Sequence, residues 1–564
     1  MVFSSDRVYL VVDEIGVFLG RFAGRGFGYY KSLRNVVFDY DGVKAYFTRI
    51  QSDPYAPPSV FQIVVPGKIH GLKLKGYGKN DYLALSDYLY RRLYSESVKY
   101  RRKCGSGYSC FLGVPKPSPI MIYRSGAEIV GEDIVLRIFI GLPASGRRIL
   151  VKPLNHILSV IIPRIINKFR NMYRCEEEIW ERILYLRDYL YIQKLLEEEN
   201  AVAFIANNSV LPRESSISQK PLANAVPFRV EDRFSREIRV PSGKTVYGLI
   251  IPRGLTVITG GGYHGKTTLL EALQDGIYPH IPGDGREYVV SRPRTVLVKA
   301  EDGRFIHRVD ISSFIKKIPG GGDTRDFISR DASGSTSMAA SINELVEVGV
   351  DNILLDEDTS ATNLLYKDEY MSKLLYDDPI TTITQLARSF TEKTRTNLVI
   401  VSSASSILLS KAGFIILMRN YKPTIRSRKE MGLVDKLPDK QYIPPRERRV
   451  FRGIRGVKKI RAKGSKLILK YVDGIVFELD LKNNPRIIEN GQVKMIATIL
   501  KWIIREKING STRELVETIN NVFREKGFRG FTSMVPPDLG WVDGLDVAWT
   551  INRLYNVVFE KRPS

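Results

Sequence analysis

The chain of 564 residues is poor in several residue types, and each shortage closes off a class of function. It has 3 cysteines and 5 histidines. Cys104, Cys110 and Cys175 lack metal-ligand spacing, so neither a zinc site nor a disulfide framework is implied. Cys104 and Cys110 are close enough in sequence to pair, but reduced thiols are the expectation. No apolar run reaches the roughly 18 to 20 residues that cross a bilayer. The longest candidate, Leu154 to Ile166, is broken by His156, Pro163 and Arg164. The first residues, Met1 to Arg7, have no basic start followed by an apolar run of export-signal length. A cytoplasmic protein with no membrane partner is expected. Acidic residues are also outnumbered, 61 against 86 basic ones, for a formal net charge of +25. Such an excess points to a polyanionic partner or to a solvated cationic surface, and clustering decides between them.

What is present is ordinary globular material. Apolar residues make up 43% of the chain, and the length calls for two to four domains. Residues 1–200 read as an α+β region. Strand-like runs come first (Val8 to Val12, Val36 to Phe38), then helices over Asp81 to Lys103, Leu154 to Met172 and Glu176 to Glu199. A Pro/Ser/Asn-rich stretch, Asn207 to Pro227, reads as a connector or ordered loop. Residues 201–430 alternate apolar strands (Leu255 to Thr259, Ile353 to Leu355, Leu398 to Val401, Ile415 to Met418) with helical stretches. That rhythm implies a parallel sheet covered on both faces. Residues 431–564 read as a basic linker followed by a helical domain, with Gly491 to Glu506 and Thr512 to Lys526 as its clearest helices. No internal repeat is found.

Two segments carry recognisable chemistry. Gly260-Gly261-Gly262-Tyr263-His264-Gly265-Lys266-Thr267-Thr268 matches the G-x-x-x-x-G-K-[ST] phosphate loop and follows an apolar strand. Its glycines let the backbone wrap phosphates, Lys266 reaches the outer phosphates and Thr267 ligates Mg²⁺. Ile353-Leu354-Leu355-Asp356-Glu357 is a buried-strand pattern ending in two carboxylates. Asp356 suits holding Mg²⁺, and Glu357 suits orienting or deprotonating water. Together they imply binding and hydrolysis of a nucleoside triphosphate.

Between them, Ala332-Ser333-Gly334-Ser335-Thr336-Ser337 opens a helical stretch that leads to Asp356. In order and spacing this resembles ABC-type ATPases, whose Ser-Gly-Gly-Gln-like signature loop binds the γ-phosphate held by the other subunit. Asp358 to Asn363 stands where such proteins carry the D-loop. The resemblance narrows to the soluble family of predicted ATPases of the ABC class. It rests on the phosphate loop, Ile281-Pro-Gly-Asp-Gly-Arg-Glu287, the 332–337 segment and Leu355 to Asn363. Further echoes are Gln51 to Pro58, Gly141 to Ala144, Gly146 to Arg148, Leu211 to Glu214 and Asn552 to Leu554. It implies an α/β fold: a P-loop ABC-type nucleotide-binding domain with a mixed or parallel sheet, an α+β N-terminal domain and a small, mostly helical C-terminal domain. It also implies ATP and Mg²⁺ as cofactors and a head-to-tail homodimer in which Ser333, Gly334 and Ser335 of one copy seal the ATP of the other.

The chain departs from the ABC pattern in places. Ser402-Ser403-Ala404-Ser405 occupies the turn where transporters carry a γ-phosphate-contacting His, leaving Ser403 as the phosphate-binding candidate. No Gln stands at the Q-loop position, where Asp310 is the nearest substitute and a third candidate metal ligand. Phe234 reads either as an adenine-stacking ring or as a core residue. The short interval from Lys266 to Ser333 suggests a trimmed helical subdomain and argues against docking to a transporter.

The positive charge clusters twice. Arg446, Arg448, Arg449, Arg452, Arg455, Lys458, Lys459, Arg461, Lys463 and Lys466 face only Glu447, and Phe451 lies among them. Arg91, Arg92, Lys99, Arg101, Arg102 and Lys103 alternate with Tyr90, Tyr94 and Tyr100. Cations interleaved with aromatics suit single-stranded nucleic acid, with RNA favoured as the partner.

Overall fold

The computed structural model describes residues 8–215, 218–367, 374, 377–403, 405–435 and 437–563. The chain divides into two compact units, Met1–Leu186 with Lys526–Trp541, and Arg187–Glu525 with Val542–Ser564.

The first unit is built on a seven-stranded sheet. Val8–Val11 runs parallel to Val36–Tyr40, and Val43–Arg49, Ser59–Val65 and Asp133–Ile140 follow in antiparallel order. The helix expected over Asp81 to Lys103 stops at Val98. The stretch from Leu154 to Met172 is not one helix. It comprises Val151–His156, a π turn at Ile157–Ile161, and Ile162–Asn167, with Pro163 in the first turn of the last piece. Cys104 and Cys110 are joined in a disulfide, which corrects the expectation of free thiols. The turn they enclose is tightly packed, since a Cβ on Gly105 would meet Ala144 O at 2.1 Å and one on Gly107 would meet Pro54 O at 2.2 Å. Several of the weaker sequence echoes meet here: Gln51 Oε1 accepts from Leu142 N at 2.9 Å, and Arg147 pairs with Asp53 at 3.0 Å.

The second unit centres on a six-stranded sheet in the order Thr295–Val298, Asn352–Asp356, Asn397–Val401, Leu255–Gly260, Phe414–Arg419, Lys422–Arg426. The first five strands are parallel and the last is an antiparallel edge. The apolar runs are continuous because both faces are covered. Ile353 and Leu355 face Met338, Ala339 and Ile342 of the helix Gly334–Val348, together with Leu386 and Phe390 of Ile383–Thr394. Leu354, one residue out of phase, faces Leu269, Leu270 and Leu273 of the helix Lys266–Asp275. A separate antiparallel sheet of Arg236–Arg239, Thr245–Ile251, Ala203–Ala206 and Val289–Ser291 flanks the second of these cores. Between Asp275 and Ser333 the chain forms strands and turns but no helix, in line with a trimmed helical subdomain.

The basic stretch Arg446 to Lys466 is not linker. It forms the strands Glu447–Ile454 and Val457–Lys463. Glu447–Ile454 pairs with Val557–Pro563, and Val457–Lys463 opens a sheet with Lys466–Tyr471 and Val476–Asp480. Charge density hid a period-two pattern: Ile460, Leu467 and Leu469 are buried while Lys459, Arg461, Lys463, Lys466 and Lys470 are exposed. The helices Asn490–Glu506 and Thr512–Lys526 follow as expected.

Candidate nucleotide site

The parallel register sets the site. Ile258 lies level with Val401, and Asp356 is also level with Val401. Three strands therefore end on one edge of the sheet, delivering Gly260, Asp356 and Ser402 to the same place. Ligands of doubly wound sheets bind at such carboxyl ends.

The loop after the first of these strands is shaped by backbone conformations that glycine favours. Gly260 has φ 139°, and a Cβ there would fall 2.1 Å from Met418 O on the neighbouring strand. Gly265 has φ 90° and precedes the first helical residue, Lys266. Tyr263 stands between them at φ 60°, an uncommon conformation for a bulky residue, with 97% of its surface exposed. A loop of this kind, running into a helix start, suits an anion. Lys266 Nζ donates to Gly260 O at 2.9 Å and Gly261 O at 2.7 Å, so its charge is held against the loop. Asn420 N donates to His264 Nδ1 at 2.9 Å, tying the loop to the neighbouring hairpin.

The carboxylates meet the loop directly. Thr267 Oγ1 donates to Asp356 Oδ2 at 3.0 Å, and Asp356 is buried. A hard divalent cation takes oxygen ligands and usually keeps several waters alongside phosphate, and this hydroxyl–carboxylate pair fits one. Among the described residues no group of three or more His, Cys, Asp or Glu side chains gathers as a self-contained metal cage. Glu357, the next residue, accepts from Ser402 Oγ at 2.9 Å and Ser403 N at 2.8 Å through Oε2, and from Tyr366 Oη at 2.5 Å through Oε1. The bond to Glu357, with burial, pushes the Tyr366 phenol up to about 12, so it keeps its proton and donates at neutral pH.

A phosphate loop bonded to a strand-end aspartate, with a second carboxylate beside it, is the arrangement of a P-loop nucleotide-binding domain. A family model for the P-loop domain of ABC ATPases matches residues 175–452, and one for the N-terminal part of ATPases of the ABC class matches residues 12–173. The chain belongs to the ATPases of the ABC class. A model of the MRB1590 C-terminal domain matches residues 459–560. An uncharacterized protein of Methanocaldococcus jannaschii is 36% identical over 185 residues, a match taking in 31% of this chain. The chain spans about two-fifths of that relative's length, 41%.

In this ABC-class ATPase the signature segment starts a helix. Ser333 is the N-cap of Gly334–Val348, and its hydroxyl accepts from Thr336 N. Ser335 Oγ donates to Asn363 Oδ1 at 2.8 Å, joining this helix start to the segment after Glu357. Ser337 Oγ donates to Gly334 O and accepts from Glu301 N, and Glu301 in turn is gripped by Arg553 at 2.8 Å. The late Asn552-Arg553-Leu554 echo therefore buttresses the signature helix.

The other sequence candidates make different contacts. Asp310 Oδ1 accepts from Ser312 N and Oγ at 2.9 and 2.7 Å, and among the described residues no hydrogen bond joins it to Thr267 or Asp356. Ser403 reaches Glu357 through its backbone N–H rather than its hydroxyl. Phe234 packs on the core beside Val230 and carries the Arg233 guanidinium 4.7 Å from its centroid. The aromatic exposed beside the loop is Tyr421, whose Cδ1 lies 3.2 Å from where a Gly265 Cβ would stand. It sits in a tight hairpin where Asn420 and Tyr421 both take positive φ, which no sequence pattern announced.

The cation clusters separate into buried or paired members and exposed ones. Arg449 is 2% exposed and is a correction: it forks onto Glu347 at 2.7 to 2.9 Å, donates to His307 O and Asn552 Oδ1, and covers the Phe559 ring. Arg91 is likewise held by Asp87 at 2.7 Å and by the Ser118 and Ile120 carbonyls. Arg92 donates to Lys168 O, Arg101 to Val114 O, and Arg452 pairs with Glu560. Arg102, Lys103, Arg446, Arg448, Arg455, Lys458 and Lys459 are exposed. Among the described residues no helix is long and apolar enough to cross a membrane.

The loop geometry yields a stability test on the nucleotide-free protein. Gly260→Ala, which meets Met418 O, should lose about 2 kcal/mol or more in denaturant unfolding. Gly262→Ala, whose Cβ meets nothing within 4 Å, should stay within about 0.5 kcal/mol of wild type. Equal losses would refute the close approach at Gly260.

Proposed function

We propose that the chain binds ATP–Mg²⁺ at Gly260 to Thr268 and hydrolyses it as a head-to-tail homodimer, coupling turnover to binding or remodelling of a nucleic acid, with RNA favoured. The observation that carries the reading is the Thr267–Asp356 hydrogen bond at 3.0 Å, with Glu357 on the next residue. In this reading the loop amides and Lys266 bind the β- and γ-phosphates, Lys266 exchanging its two loop carbonyls for phosphate oxygen. Magnesium, held by Thr267 and Asp356, would neutralise charge on the transferring phosphoryl group. Glu357 orients water and takes its proton. Ser333, Gly334 and Ser335 present a hydroxyl and helix-start amides to the γ-phosphate bound by the other copy. Ser403 remains a candidate phosphate contact and Asp310 a candidate metal ligand. The segments 1–200, 201–430 and 431–564 would act as N-terminal, ATPase and C-terminal parts.

The nucleic-acid part of the reading is supported by the C-terminal sheet. Lys459 stands directly opposite Lys470, and Lys463 opposite Lys466. Like charges facing across strands cost stability, and a polyanion laid on that face would relieve it. Arg461 lies on the same face, and Lys466 pairs with Glu478 at 3.1 Å. The exposed Arg102 and Lys103 supply a second cationic area on the first unit.

A slower, switch-like ATPase is the second reading. Serines stand where transporters place a histidine, and Glu357 already accepts from Tyr366, Ser402 and Ser403. A transporter subunit is the third and is disfavoured by the absence of any helix between Asp275 and Ser333.

Glu357→Gln should abolish steady-state turnover while retaining ATP, and should shift the protein to a dimer in ATP by light scattering. Full turnover in this variant would refute the assignment. Replacing Lys459, Arg461 and Lys470 with Glu should weaken single-stranded RNA binding more than about tenfold at 0.1 M salt. It should also flatten the log K against log salt slope by about 2, at roughly 0.7 per phosphate contact. Unchanged affinity and slope would remove the sheet face from the account.

A further inference from the structure

Three of the sequence echoes, Gln51 to Pro58, Gly141 to Ala144 and Gly146 to Arg148, lie in the first unit, whereas the phosphate loop lies in the second. All three converge on the turn closed by the Cys104–Cys110 disulfide. Tyr108 N donates to Pro54 O at 2.9 Å, and Ser106 N donates to Ala144 O at 2.8 Å. Ser106 Oγ accepts from Gly146 N at 2.9 Å, and Ser109 Oγ accepts from Ala144 N at 3.0 Å. Asp53 joins two of the segments: Oδ1 accepts from Tyr55 N at 3.1 Å and Oδ2 accepts from Arg147 Nε at 3.0 Å. Gly105 and Gly107 let the turn lie flush on the Ala144 and Pro54 carbonyls, where any Cβ would clash.

This cross-linked junction displays aromatic rings and cations to solvent. Tyr55 is 70% exposed and Tyr108 is 47% exposed. The two are held close along the backbone, because Tyr108 N bonds the carbonyl of Pro54, the residue before Tyr55. Arg102 and Lys103 lead into the turn, Arg147 and Arg148 end the last segment, and all four are exposed. Asp53 is the one acid in these segments and the turn. The Arg147 side chain stays 83% exposed although it pairs with Asp53. A tyrosine ring left in water gives the fold no burial, and a rigidly held ring loses little entropy when a ligand stacks on it.

Resting on the nucleic-acid reading, we propose that this junction is a single-strand platform built from residues other than those of the C-terminal sheet. Tyr55 and Tyr108 stack on unpaired bases, and Arg102, Lys103, Arg147 and Arg148 hold the flanking phosphates. Every base has a flat face to stack, so the platform selects unpaired over paired strands and not one sequence over another.

The test is fluorescence anisotropy of the full chain with a labelled polyadenylate RNA of about 15 nucleotides, and with its abasic counterpart, across salt. Tyr55→Ala and Tyr108→Ala should each weaken adenylate binding at least about fivefold. Their log K against log salt slope should match wild type, because stacking releases no counterions. Tyr55→Phe and Tyr108→Phe should restore binding, and the abasic strand should not distinguish the alanine variants from wild type. Replacing Arg147 and Arg148 together with Ala should weaken binding and flatten the slope by about 1.4, at roughly 0.7 per phosphate contact. If both alanine variants bind like wild type while the Lys459, Arg461 and Lys470 replacements weaken binding, the platform is refuted and the sheet-face reading stands. If they keep RNA but scatter light as smaller species, the rings belong to a protein interface and the platform is overturned. If wild type binds no adenylate strand, both readings fall.

Discussion

Everything in the site hangs on the level ends of three parallel strands. Because Leu255–Gly260, Asn397–Val401 and Asn352–Asp356 are in register, Ile258, Val401 and Asp356 lie level, and Gly260 and Ser402 follow just beyond them. The Thr267–Asp356 bond closes the loop onto this edge, and the Ser402 and Ser403 bonds close Glu357 onto it from the other side. The register in turn is held by alternation inside each strand. Leu354 points into one core and Ile353 and Leu355 into the other, so a slip of one residue would exchange the two cores and withdraw both carboxylates.

The parts of this arrangement that were legible in the sequence are those whose chemistry needs neighbouring residues. A phosphate loop must be contiguous, and a strand that ends in Asp356-Glu357 announces itself by its apolar run. The signature helix was legible from Ser333 as an N-cap and from its distance to that strand. Tyr366 and Tyr421 were not, because each sits on a turn whose path only the folded core decides: Leu364 and Leu365 aim one turn, and two successive positive φ values aim the other. Arg449 shows the converse error. Read in a run of cations it looks available, but on the strand Glu447–Ile454 it lies on the inward side with Phe451, where Glu347 and the Phe559 ring compensate its charge.

The C-terminal segment is more than an appendage to the ATPase core. Arg449 grips Glu347 on the signature helix, and Arg553, 3.6 Å from the Trp549 ring centroid, grips Glu301. Glu301 is bonded through Ser337 to Gly334. Two buried arginines from residues beyond 446 therefore brace the helix whose first turn carries Ser333 to Ser335. The exposed cations of the same segment lie on its outer strand faces, so one stretch of sequence supplies both the brace and the charged surface.

The central claim is that Thr267 and Asp356 together form the magnesium-dependent part of an ATP site. Calorimetric titration of ATP in magnesium and in EDTA, on wild type and on Asp356→Asn, tests it most directly. The account predicts that chelation weakens ATP binding to wild type at least about tenfold, and that Asp356→Asn binds ATP with little dependence on magnesium. Wild type that ignores ATP, or an Asp356→Asn variant that keeps the full magnesium dependence, would contradict it.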